Sequence, residues 1–187
     1  MQNTGLDTAL RQPMPIVRSV RALVAVPIGL GVLLAGCSTD REAPAPGHRG
    51  QTVSLEEERQ AVERAIHGMI GWAQTMDFDL LLSIVAHDST YVAVHPEDNV
   101  VRGFAEFQDG IEVFRDPAFR AVRYEVRDLQ ITFARSGDVA WFYGVLDDIN
   151  EWNGQPFSWI GVRWTGVLEK REGRWRMAQM HFSSPVA

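Results

Sequence analysis

Apolar residues recurring every three or four positions open the ordered part of the chain. Leu55, Val62, Ala65, Ile66, Met69, Ile70 and Ala73 keep that spacing, and Trp72 and Met76 extend the stripe, which predicts an amphipathic helix. The stretch "SLEE" before it is a capping box, with Ser54 as N-cap and Glu57 reaching back from the third helical position. Asp77 can cap a second, short helix, "FDLLLSIV". "STYVAVHP" reads as a strand stopped at Pro96, and "PEDN" as a turn. Gly103 opens a third helix, about Phe104 to Phe114, with Phe104, Phe107, Ile111 and Phe114 on one face.

Beyond Asp116 the period falls to two. Strand-like runs cover about Ala121 to Ala134, Val139 to Glu151, Phe157 to Glu169 and Arg174 to Ser183, divided by the hairpin signals "SGD", "NG" and "EG". In the first run the alternation slips: Val122, Tyr124 and Val126 share one parity, Leu129, Ile131 and Phe133 the other. That slip predicts a β-bulge near Arg127 and Asp128, and a bulge there would bend the sheet strongly. The expected fold is therefore α+β: about three N-terminal helices on the inner side of a curved antiparallel sheet, forming a cone around a pocket.

The first 36 residues follow another logic. Arg11, Arg18 and Arg21 lead into the apolar run Ala22 to Leu34, broken by Pro27, Gly29 and Gly31. This is the pattern of a secretory signal, too short and too interrupted for a membrane span. "LLAGC", Leu33 to Cys37, resembles the bacterial lipobox. The resemblance implies cleavage before Cys37, lipidation of that residue, and a place in the cell envelope. Ser38 after the cysteine points to the periplasmic side of the outer membrane in a Gram-negative host. Residues 37–53 would then be the lipidated cysteine and a Pro/Gly-rich flexible tether, and 54–187 the folded domain. Cys37 is the single cysteine, so the domain has no disulfide and must be held by its core.

Helix, short helix, strand, helix and four long strands is an order similar to that of the nuclear transport factor 2-like superfamily, and the local sequence resembles its SnoaL-like branch. "MDFDLLLSIVAHDSTYVAV" resembles that branch's second helix and first strand. "VRGFAEF" resembles the glycine-initiated third helix. "GVRWTGVLEKREGRWRMAQMHFSS" resembles the C-terminal hairpin. The resemblance implies a cone-shaped domain that binds a small molecule, catalyses isomerisation, cyclisation or dehydration without a cofactor, or serves as an assembly module. It also implies a homodimer formed through the outer face of the sheet.

Trp175, Met177, Gln179, His181 and Ser183 share one parity, and the resemblance implies that this face lines the cone. A three-residue loop before the last strand (Arg171, Glu172, Gly173) would set Arg163 opposite His181; a two-residue loop would set it opposite Phe182. The three-residue loop is favoured because only glycine is then asked for positive φ. Arg163 beside His181 would suit an anionic oxygen, whereas the structural alternative pairs Arg163 with Asp147 or Asp148 and His181 with Thr165 or Ser183. One of Asp147 and Asp148 faces inward by alternation, and which one depends on the loop "WNGQ". An inward carboxylate in a dry cone would be a candidate base.

The candidate catalytic residues are thus His181 and Asp147. The candidate ligand-binding residues are Arg163, His181, Gln179, Tyr143, Tyr91, His95 and Trp159, with Trp141 and Trp164 as further walls. The ligand expected is small and mostly apolar, or anionic. No histidine pair or carboxylate cluster has metal spacing, and phosphate-loop and nucleophile-elbow motifs are absent, so neither metal nor cofactor is expected. The net charge of −6 falls further once the basic leader is removed, which argues against nucleic acid as a partner.

Overall fold

The computed structural model describes residues 54–96 and 99–185. The leader, Cys37 and the tether lie outside those residues. Helix α1 (Leu55–Thr75) begins at the expected capping box: Ser54 Oγ accepts from the Glu57 amide at 3.2 Å, and Glu57 Oε2 accepts from the Ser54 amide at 2.7 Å. Helix α2 (Phe78–Ile84) is capped by Asp77, which accepts from the Leu80 amide. Two short strands follow, β1 (Val92–Val94) and β2 (Val100–Arg102), paired antiparallel. Helix α3 (Gly103–Ile111) starts on a glycine with φ +78 whose amide donates to Tyr91 O, and runs into a 3-10 turn, Glu112–Arg115.

The long strands are β3 (Phe119–Phe133), β4 (Val139–Trp152), β6 (Trp159–Arg171) and β7 (Arg174–Ser183), with a two-residue strand β5 (Gln155–Pro156) against β4. The sheet runs β2-β1-β7-β6-β4-β3. It is mixed rather than wholly antiparallel, because β1 lies parallel to β7, with Val92 beside Gln179 and Val94 beside His181. Sequence alternation shows that a segment is extended, but does not report the direction of its neighbour.

Besides a register shift between Ala121 and Arg123 in β3, three irregularities decide which side chains face the helices. The bulge expected in β3 is present: the register jumps between Arg127 and Gln130, and Asp128 takes φ +54. A second lies in β6, where Leu146 pairs with Val162 but Asp148 with Trp159, and Gly161 takes φ +65. A third lies in β7, where Val167 pairs with Gln179 but Leu168 with Met177, leaving Ala178 as the extra residue. Each bulge adds bend and twist to its strand and resets the inward parity beyond it.

The core fills the space between helices and sheet. Val62, Ile66, Met69 and Trp72 of α1 and Phe78, Leu81 and Ile84 of α2 pack with Phe142, Leu146, Val162, Trp164, Leu168, Met177, Met180 and Phe182 of the sheet. Trp164, wholly buried, stacks on Phe182 at 5.5 Å and meets Phe142 edge-on at 4.9 Å. At the other end Glu58 of α1 accepts from Lys170 and, at 2.7 Å, from Trp175 Nε1, tying the first turn of α1 to the β6–β7 hairpin.

Candidate functional site on the inner face of the sheet

Even-numbered residues of β4 point toward the helices: Ala140, Phe142, Gly144, Leu146 and Asn150 are buried, and Asp148 continues the series. Asp148 is therefore the inward carboxyl. Tyr124 of β3 and Trp159 of β6 flank it in register. Burial raises its pKa to about 6, with the neighbouring Asn150 side chain pulling weakly the other way. Around neutral pH such a group is mostly ionised yet can take up a proton, as a general base must.

His95 reaches the same end of the inner face from β1. Its ring packs 5.8 Å from Trp159 and stacks 5.5 Å from Phe182. Burial lowers its pKa to about 4, so the imidazole is neutral at physiological pH, and its Nδ1 is buried without a hydrogen-bond partner. Four further polar atoms are buried and unpartnered: Tyr91 Oη, Asn150 Oδ1 and Trp164 Nε1 on the inner face, and Arg176 Nη1 of β7, whose residue has outward parity. Burial also pushes the Tyr91 hydroxyl pKa up, so that it stays a donor. Unpartnered buried polar atoms cost about 1–3 kcal/mol each, and several on one inner face are a concentration that a folded core normally avoids.

Several expected residues lie elsewhere. His181 and Gln179 are on the outer face, because the bulge at Ala178 reverses the alternation of β7: Trp175 and Met177 face in, and so do Met180 and Phe182. His181 is exposed and pairs across the sheet with Thr165. Arg163 is exposed too, opposite Ser183, and donates to Ser184 O at 3.2 Å. Neither loop length considered from the sequence would have placed it there. The loop has two residues, Glu172 (φ +52) and Gly173 (φ +76), so a non-glycine residue does accept the left-handed conformation, and the bulge then shifts the partner by one.

Asp147 also faces outward. Its carboxylate accepts two 3.0 Å hydrogen bonds from Arg127 and one of 2.6 Å from the Gly161 amide. Its role is to hold the β6 bulge that brings Trp159 opposite Asp148. Tyr143 stands 37% exposed on the outer face, not in the interior. Tyr91, His95 and Trp159 are inward, and Trp164 with them.

Of the inward pair, Asp148 is one of the two carboxylates the sequence leaves open, and Asn150 is the residue it does not single out. The signal lay in the apolar parity of β4, where Ala140, Phe142 and Leu146 share their phase. The reversal in β7 was also signalled, by Trp175 and Met177 giving way to Ala178, Met180 and Phe182. Among the described residues no group of three or more His, Cys, Asp or Glu is placed to hold a metal ion.

The outer face carries its own feature. A groove of about 350 Å³ is lined by Gln130, Thr132, Trp141, Tyr143, Thr165 and Gln179 among others. Trp141 is 46% and Ile160 53% exposed on the same sheet.

A bent sheet wrapped by N-terminal helices around an inward carboxyl and histidine defines a cone-shaped α+β domain, and the comparisons agree. Residues 62–187 match the SnoaL-like domain family, and the chain belongs to it. Among solved structures, it is similar to a protein of the nuclear transport factor 2-like family from Streptomyces avermitilis, described as a proposed dehydratase. That match has 17% identity and TM-score 0.58, and covers 71% of this chain and 99% of that one. A proposed scytalone dehydratase from Novosphingobium aromaticivorans matches at 13% identity and TM-score 0.59, over 69% of this chain and 85% of that one. A nuclear transport factor 2-like protein of unknown function from Rhodospirillum rubrum matches at 17% identity and TM-score 0.56, over 67% and 98%. At these identities the structural likeness carries the fold. No curated protein matches the chain.

Proposed function

We propose that the domain binds a small, mostly apolar molecule at the inner-face end defined by His95, Asp148, Trp159 and Phe182. The carrying observation is the set of buried polar atoms without partners toward that end, His95 Nδ1, Asn150 Oδ1 and Trp164 Nε1. A ligand bearing hydrogen-bonding groups would satisfy atoms that the chain leaves open, while the aromatic rings supply apolar contact. Native mass spectrometry of the gently purified protein is the test. A co-purifying small molecule lost in a His95→Leu, Asp148→Leu double variant supports the reading. An unliganded wild type in which the double variant is simply more stable would retire it.

A second reading, proton transfer without a cofactor, is favoured by Asp148 alone, whose raised pKa suits a base working near neutrality. The proposed dehydratases among the structural neighbours point the same way. Here Asp148 would take the role expected of Asp147 and His181. We also propose that the outer face receives a second copy of the chain, since Trp141, Tyr143 and Ile160 are large apolar side chains exposed on one sheet. Export and anchoring through Cys37 remain a proposal resting on the leader sequence. Among the described residues no helix is long and apolar enough to cross a membrane.

A further inference from the structure

The charge of the inner face narrows the ligand class. Arg163, the cation expected beside the ligand, is on the opposite side of the sheet and exposed. Lys170 has the inward parity of β6, but sits at the far end and is paired with Glu58. Asp148 has Tyr124, Trp159, Leu146 and Asn150 as its neighbours in register and along its own strand, and none of them is a cation. His67 of α1 meets Tyr124, with its ring 5.9 Å from the phenol ring. His95 is held neutral by its burial between aromatic rings. The one charged side chain at this end of the interior is therefore a carboxylate without a counter-ion among the described residues.

An anion brought into that site would lose its hydration and meet a like charge across low dielectric. The unpartnered groups instead match a neutral molecule. Trp164, wholly buried, offers an N–H that a carbonyl or hydroxyl oxygen can accept. Asn150 Oδ1 and the Asp148 carboxylate can accept from a hydroxyl.

We infer that the site is selective for an uncharged ligand whose polar group is a hydroxyl or a carbonyl, and that it rejects the corresponding carboxylate. The inference rests on the ligand-binding reading above. It replaces the expectation of an anionic ligand, which depended on Arg163 facing inward.

Matched probe pairs separate this inference from the reading beneath it. Quenching of tryptophan fluorescence would be followed during titration of the purified protein at pH 7.5 with 2-naphthol against 2-naphthoate, and with decanol against decanoate. The expected result is saturable binding of the neutral member of at least one pair, about tenfold or more tighter than its carboxylate, the scale of like-charge repulsion in a half-dry site. In Asp148→Asn the gap should shrink to within about threefold, because the repelling charge is gone. Carboxylates binding as tightly as their neutral partners, or tighter, would overturn the inference and leave the ligand-binding reading standing. So would a gap that Asp148→Asn leaves unchanged. No saturation by any of the four probes up to about 1 mM, the weak limit of specific recognition, would retire both.

Discussion

The two faces of one sheet solve opposite problems with neighbouring residues. Asp147 and Asp148 are adjacent in β4 and point to opposite sides. Asp147, outward, is paired with Arg127 and accepts the Gly161 amide. Asp148, inward, gets no cation and is pushed toward neutrality by burial. The first carboxylate holds a bulge in place and the second is kept at a cost. A group retained against stability is the usual mark of a site kept for function, whereas a well-paired one is the usual mark of architecture.

Core truncation should show the largest difference between the faces. Trp164→Ala, on the inside, is expected to cost about 3–5 kcal/mol, whereas Trp141→Ala, outside, should stay within about 1 kcal/mol for the isolated subunit. Urea unfolding of each variant reads both. Equal costs would mean that the outer face is packed as firmly as the core, and the contrast would be lost.

Asp148→Asn should raise stability, by up to about 3 kcal/mol at pH 7.5. The sign follows from linkage. The folded pKa, about 6, lies above the unfolded value near 3.8. The unfolded chain thus releases this proton first, and wild-type stability falls as pH rises from about 4 through 6. The advantage of the variant should disappear at pH 4 and be complete above about pH 7. A variant no more stable at pH 7.5 would show that Asp148 is not held at a cost.

His95 titrates in the opposite sense. Its folded pKa, about 4, lies below the unfolded 6.5, so its neutral form is fully compatible with folding above pH 6.5 and its burial costs stability as pH falls toward 4. His95→Phe should therefore flatten the loss of stability between pH 6.5 and 4, measured by thermal melts across that range. An unaltered acid limb would place the histidine's ring in contact with solvent.

Asp147→Ala should cost about 1–2 kcal/mol, through the lost amide and guanidinium hydrogen bonds, with little pH dependence between 6 and 8. The smallest effect on the subunit itself belongs to Tyr143→Lys combined with Trp141→Lys. Subunit stability should change by about 0.5 kcal/mol or less, while sedimentation reads a loss of self-association. A wild type that sediments as a monomer would break the outer-face proposal.

Much of the fold was legible because its signals are local. The Ser54 box, the α1 stripe, the glycine opening α3 and the parity slip at Asp128 are each contained within a single element or its first turn. The site was legible only in part. Tyr91, His95 and Trp159 are inward, whereas His181, Gln179, Arg163 and Tyr143 stand on the outer face, and the choice between Asp147 and Asp148 is one the alternation leaves open. The family resemblance turns His181 and Gln179 inward, and a register carried through the hairpin loop sets Arg163 beside them; the bulge at Ala178 reverses both.

What the sequence determined by itself is the alternation, the caps and the order of helices and strands, because these rest on side-chain periodicity and short-range hydrogen bonds. Only the tertiary structure decided that β1 runs parallel to β7, that β6 takes up an extra residue at Gly161, and that Arg163 lies opposite Ser183 on the outer face. The physical reason is the two-residue repeat of a strand. One extra residue, absorbed where two strands compete for the best packing of Trp164, Phe182 and Met180, turns every side chain beyond it to the other face.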